Sequence, residues 1–190
     1  MPADPHRRDG IINAAVLDLL RTKGPRSVNV EAVAAHAGVA KTTIYRRYRD
    51  REEMIKAALE SLTNPPPPDR PEPRELLAWL IEQSVNAIES GIGLGGVAAL
   101  LTDEDTTFIE LIRALLVEHR AALATELDNA AVDAELRDDL DVETLLDCIV
   151  GAYLAERARR GGVEPGWARR VLHSLWPAFT RQPPPSGGLP

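Results

Sequence analysis

The sequence predicts an all-α protein: a small helix-turn-helix head, then a larger helical body, with about nine helices in all. Three observations carry this. Apolar residues recur at helical spacing along most of the chain, as in Ile11, Ile12, Ala15, Val16, Leu19 and Leu20. Hydrophobic residues make up 44% of the 190 positions but aromatics only 4%, and Ala and Leu are plentiful, which favours helix packing over sheet. The stretch Asn29–Met54 reads as two short helices joined by a tight turn, with a third helix entering behind them.

That stretch organises the chain. Asn29 is placed to cap a helix carrying Val30, Val33 and Ala34 on one face. Gly38 supplies the left-handed backbone of a sharp turn. A second short helix, about Ala40 to Tyr48, turns Ile44 and Tyr48 inward. It leaves Lys41, Thr42, Thr43, Tyr45 and Arg46 mostly outward, with Arg47 on the flank. Such a face suits phosphate oxygens and base edges. Asp50 with Glu53 forms a capping-box start for the next helix.

AGVAKTTIYRRYRDREEM resembles the helix-turn-helix signature of the TetR (tetracycline-repressor) family of transcriptional regulators. The matching residues are Ala37, Gly38, Val39, Thr43, Ile44, Tyr45, Tyr48, Glu52, Glu53 and Met54. Three departures stand out. Ala40 replaces the usual Ser cap, Thr42 stands where Gly is frequent, and Arg51 stands where Lys is usual.

Composition agrees with this. The net charge is −7. Residues 1–64 hold 11 Lys and Arg against 8 acids, a net +3; residues 65–190 hold 11 against 21, a net −10. Positive charge gathers in Lys41–Arg51, and local charge governs counterion release at a DNA backbone. One cysteine, Cys148, excludes an intrachain disulfide and fits a reducing compartment. MPADPHRRDG lacks a signal-peptide core, and no apolar run approaches the ~18 residues of a membrane span. The expectation is a soluble, cytoplasmic protein.

In chain order, Asp4 caps a first helix with Pro5 at its start, and Gly24-Pro25 ends it. His6, Arg7 and Arg8 lie at its beginning, near DNA backbone by the resemblance. The helix opened by Asp50 runs to about Leu62, with Met54, Ile55, Ala58, Leu59 and Leu62 inward. Asn64–Pro73 is a semi-rigid polyproline linker. The expected division is therefore a head over 1–63, a linker over 64–73, a body over 74–181 and a disordered tail over 182–190.

An amphipathic helix follows over Arg74–Ser90. Gly91, Gly93 and Gly96 satisfy G-x-G-x-x-G, yet no strand precedes them, so the dinucleotide reading fails and a helix break is expected. Asp103, Glu104 and Asp105 lack a companion His for a metal site and suit the N-terminus of the next helix, Phe108 to about Asn129. Val142–Arg160 and Gly166–Arg181 close the chain. Pro177 should kink or shorten the last helix, and Cys148 reads as a packed small residue. No convergent acid, base or metal-ligand set appears, so neither an enzyme nor a cofactor or metal protein is expected.

The resemblance implies a homodimer on a palindromic, double-stranded DNA operator, released by a small-molecule effector. The DNA-contacting set is Lys41, Thr42, Thr43, Tyr45, Arg46, Arg47 and Tyr48, with Arg51 on phosphate. The candidate effector set is Trp79, Gln83, Phe108, Ile112, His119, Ile149 and Tyr153, apolar with a few polar tips. The closing helices imply a dimer interface through Val150, Gly151, Leu154, Val171, Leu175 and Phe179.

Overall fold

The computed structural model describes residues 5–62, 65–103, 105–130 and 136–181. Asp4, the side chains of His6, Arg7 and Arg8, Glu104, residues 131–135 and the tail 182–190 lie outside the described residues. The elements are α1 (Pro5–Lys23), a 3-10 turn (Pro25–Ser27), α2 (Val30–Ala37), α3 (Lys41–Tyr45), α4 (Arg51–Glu60) and α5 (Pro73–Asn86). A π turn (Ala87–Ile92), α6 (Gly93–Thr102), α7 (Thr106–Ala130), α8 (Val142–Arg160) and α9 (Trp167–Phe179) complete them. Among the described residues, the one extended pairing is an isolated bridge between Leu136 and Thr180.

The helix ends follow from local chemistry. Asn29 caps α2 by accepting the Ala32 N–H at 2.9 Å. Gly38 ends it at φ 66°, where a Cβ would be strained. Asp50 caps α4 by accepting the Glu53 N–H at 2.8 Å. Glu53 reaches back one residue further than in a regular capping box, to the Arg49 N–H at 2.7 Å. Asp141 caps α8 through the Thr144 N–H at 3.1 Å. Pro177 lies inside α9, which ends two residues later at Phe179.

The chain forms two compact units, Met1–Asn64 with Asn86–Val117, and Pro65–Val85 with Glu118–Pro190. In the first, Ile12, Val16 and Leu20 of α1, Val33 of α2, Ile44 of α3, Met54 and Ile55 of α4, and Phe108 and Ile112 of α7 share one buried cluster. In the second, α5 buries Leu76, Leu77, Leu80 and Ile81. There α8 buries Leu145, Leu146, Ile149 and Tyr153, and α9 buries Trp167, Leu172, Trp176 and Phe179. Tyr153 meets Trp167 edge to face, with ring centroids 5.8 Å apart.

Two sequence expectations change. Cys148 is exposed in the single chain, not packed. The helical run Pro73–Thr102 is long and apolar enough, by length and composition, to cross a membrane. It is broken, however, at Gly91 (φ −91°, ψ −111°) and again at Gly93 (φ 65°). These breaks are the interruption that the glycine cluster implied.

Ala40 takes the extended backbone of an N-cap (φ −69°, ψ 143°) without a side-chain hydrogen bond to give. Ala40→Ser should therefore stabilise the fold by about 1 kcal/mol. Thermal unfolding checks this, and an unchanged or lower midpoint counts against it.

Candidate nucleic-acid interface

Helix α3 ends at Tyr45, three residues short of the expected end at Tyr48; together with residues 46–48 that follow, it has an inward and an outward side, and the inward side is fixed. Ile44 is 1% exposed and Tyr48 is 9% exposed. The Tyr48 hydroxyl donates to Asn13 Oδ1 at 3.1 Å. Burial, then the charge of Asp9, raises the Tyr48 pKa above its ordinary 10.0, so the group remains a donor. Arg47 Nε donates to the Asp9 carboxylate of α1. Tyr48 and Arg47 therefore hold α3 against α1, and neither side chain stands free for a ligand.

The outward side carries Lys41, Thr42, Tyr45 and Arg46, all exposed, with Thr43 half-buried. Tyr45 is 61% exposed, high for so large a ring. Lys41 Nζ donates to Glu31 Oε1 of α2 at 2.7 Å. Both side chains are exposed, so this pair is weak and opens cheaply. No hydrogen bond or ion pair among the described residues engages the Arg46 side chain. Arg49, which the periodicity did not single out, is strongly exposed and, among the described residues, its side chain pairs with Glu53. The basic run Lys41–Arg51 was the signal that could have found it.

Arg51 is placed otherwise than expected. Its Nε donates to Val28 O at 2.9 Å. Its Nη2 donates to Pro25 O at 2.6 Å and to Asp105 Oδ2 at 2.7 Å. Asp105 also caps α7 by accepting the Phe108 N–H at 3.1 Å. Burial alone would raise the Asp105 carboxyl. The hydrogen bonds from Arg51 and Phe108 and the charges of Arg51 and Arg26 outweigh it, and the group is held below its ordinary 3.8.

The other candidate sets divide between the units. Phe108 and Ile112 fill the core of the first unit. Trp79, Gln83, His119, Ile149 and Tyr153 belong to the second. There the Trp79 indole N–H donates to Pro65 O at 3.0 Å. Gln83 is fully buried, and neither of its amide atoms has a hydrogen-bond partner among the described residues. Burial, and then the charge of Arg120, lower the His119 pKa below 6.5. Of the dimer candidates, Gly151 is exposed, Val150, Leu154 and Leu175 are half-buried, and Val171 and Phe179 are buried within the chain. A groove of about 270 Å³ runs between α8 and α9 past Cys148, Ala152, Val171 and Leu175.

Comparison with known proteins places this arrangement. Residues 11–58, which hold α2, α3 and most of α1 and α4, match the bacterial regulatory proteins of the tetR family. The chain is 30% identical over 165 residues to an uncharacterized HTH-type transcriptional regulator of Mycobacterium bovis, covering 83% of this chain and 80% of that one. The chain belongs to the TetR family. A TetR transcriptional regulator from Agrobacterium tumefaciens has the same fold, with a TM-score of 0.62 at 17% identity over 94% of this chain and 96% of that one. A TetR-family regulator from Rhodococcus sp. superposes with a TM-score of 0.62 at 19% identity, over 93% and 100% of the two chains. This TetR-family chain is thus a DNA-binding transcriptional regulator and not an enzyme.

The Arg51–Asp105 pair has a pH signature. Its carboxyl pKa is lower folded than unfolded, so the stability it contributes is fully present above the unfolded value and is lost as pH falls through the folded one. The stability difference between wild type and Asp105→Asn should hold steady from about pH 7 to 5 and shrink below about pH 4. Denaturant unfolding across that range checks it, and a difference that stays constant into acid contradicts it.

Proposed function

We propose that this TetR-family regulator is a cytoplasmic homodimeric repressor that binds a palindromic operator through α3 and is released by a small apolar effector. The observation that carries the DNA reading is the division of α3 into two sides. Ile44, Arg47 and Tyr48 anchor it to the core and α1. Lys41, Thr42, Tyr45 and Arg46 face outward. An anchored helix with an exposed basic and hydroxyl-bearing side meets the needs of a major-groove reader. Arg46 has the reach and freedom for a base edge, Arg49 and Lys41 suit phosphates, and Thr43 lies at the margin. Arg51, Arg47 and Tyr48 act as supports.

We read the division of labour as a DNA-binding head over 1–63 and a regulatory body over 74–181, although residues 86–117 pack with the head in one compact unit. TetR-family regulators bind small-molecule effectors and act as dimers. In this chain, Gln83 supports an effector in the second unit. An unpartnered buried amide is costly, and a ligand that hydrogen-bonds to it recovers that cost. Trp79, Ile149 and Tyr153 supply apolar company there, and His119 stays neutral near pH 7. The exposed Gly151, with Val150, Leu154 and Leu175, supplies a surface for the second subunit. An effector acts as a release signal only if it binds the DNA-free conformation more tightly.

Selection from a random duplex pool tests the reading. The enriched sequence should be an inverted repeat, and binding to it should fall steeply with salt. Enrichment of a single unrepeated site would overturn the dimeric operator. On the selected duplex, Arg46→Ala should weaken binding by roughly 1–3 kcal/mol without moving the thermal midpoint. Unchanged affinity would remove Arg46 from the contact set.

A further inference from the structure

Aromatic residues apart, the buried polar side chains among the described residues are Gln83, Ser84, Glu156 and Thr180. All belong to the second unit. Three have partners. The Ser84 hydroxyl donates to Leu80 O at 2.7 Å. The Glu156 carboxylate accepts from Arg170 Nη2 at 3.0 Å. Thr180 is engaged as well. Gln83 is the exception. It is 0% exposed, and neither Nε2 nor Oε1 has a hydrogen-bond partner among the described residues. A primary amide carries two N–H donors and a carbonyl acceptor, and leaving both kinds unpaired in an apolar interior is costly.

The setting of this amide decides what pairs with it. Gln83 stands on α5 in line with Leu76 and Leu80, seven and three positions before it, and all three are fully buried. Trp79 lies four positions before it, so indole and amide are neighbours on one face of the helix. The Trp79 N–H is already spent on Pro65 O at 3.0 Å. The indole therefore offers a ligand its flat face and no hydrogen bond. A charged ligand finds no counter-charge in Gln83, and a carboxylate would set its oxygens against Oε1.

Both orphaned atoms have to be answered at once. A ketone, ester or lactone accepts from Nε2 and leaves Oε1 unpaired. A lone ring N–H donates to Oε1 and leaves Nε2 unpaired. A cis-amide edge donates and accepts side by side in one plane, and meets both atoms through two parallel hydrogen bonds. A flat ring behind that edge suits the indole beside it.

We propose that Gln83 is the specificity-determining residue of the effector site, and that it selects a flat, uncharged ring compound with a cis-amide edge, a lactam or cyclic imide, over the matching lactone. This rests on the reading of an effector-released regulator and names the ligand class of that site. The compound is apolar but for the one edge that Gln83 reads.

Carbostyril and coumarin are the probes. They are flat bicyclic rings of the same shape, a lactam and a lactone, in which the N–H of the first is a ring oxygen in the second. Each would be titrated by calorimetry into full-length wild type and into Gln83→Leu, and operator affinity would be measured at saturating probe. Wild type should bind carbostyril at least about tenfold more tightly than coumarin. In Gln83→Leu the two should bind within about threefold of each other, because leucine pairs with neither.

Equal binding of the two probes by wild type, or binding of neither, overturns the proposal, and that comparison does not depend on the variant folding. A preference for carbostyril that persists in Gln83→Leu overturns it too, by placing the amide contact elsewhere. Failure of the release reading looks different: carbostyril binds with its full preference, yet operator affinity at saturation is unchanged, and the ligand class stands. Release of the operator by coumarin as readily as by carbostyril does the reverse, sinking the ligand class and leaving the release reading in place.

Discussion

Helix α3, over Lys41–Tyr45, is too short to hold itself together. Nucleating a helix fixes several residues for the first hydrogen bond, and segments of this length are not stable alone in water. Here even the side-chain N-cap hydrogen bond is missing, because the methyl of Ala40 cannot accept one. What orders α3 is its buried side. Ile44 enters the core of the first unit, the Tyr48 hydroxyl meets Asn13, and Arg47 meets Asp9. The exposed side is available for recognition only because the other is occupied. The affinity of such a helix for DNA is therefore inseparable from the packing of α1 beneath it.

The same dependence extends outward. Helix α1 is the floor for α3, and α6 rests on the far end of α1 through glycine. Arg51 closes the arrangement by drawing the approach to α2 and the cap of α7 onto the first turn of α4. Charge follows this layout. Basic side chains available to a polyanion must remain weakly paired, as Lys41 and Arg49 are. Those that build the head are tied to carboxylates or carbonyls, as Arg47 and Arg51 are. A count of basic residues overstates the interface, because two of the five in this run serve the fold. The net charge of −7 carries little information about a surface this local.

Much of the local structure was legible from residues close in sequence. Asn29 and Asp50 mark helix starts because a cap is formed by a side chain and an N–H three residues away, and Gly38 marks an end because it takes the left-handed backbone there. Ile44 and Tyr48 face inward because positions four apart share a helix face. Long-range partners were not legible. Asp9 lies 38 positions from Arg47, and Asp105 lies 54 positions from Arg51. Nothing in either stretch announces its partner, so both arginines read as free cations. Cys148 and Phe179 illustrate the limit for apolar stripes. Periodicity shows that a helix has an apolar side, but only the neighbouring helices decide that Phe179 is covered and Cys148 is not. The candidate effector residues shared the right chemistry, yet Phe108 and Ile112 fall in one compact unit and the other five in the second.

The central claim is that one anchored helix per subunit reads DNA and that two of them act together. Hydroxyl-radical footprinting on the selected operator tests it most directly. The account predicts two protected windows related by two-fold symmetry, their centres separated by about one helical turn, 10–10.5 base pairs, or a multiple of it. Both windows should vanish together as salt is raised. A single window, or uniform protection along the duplex, would contradict it.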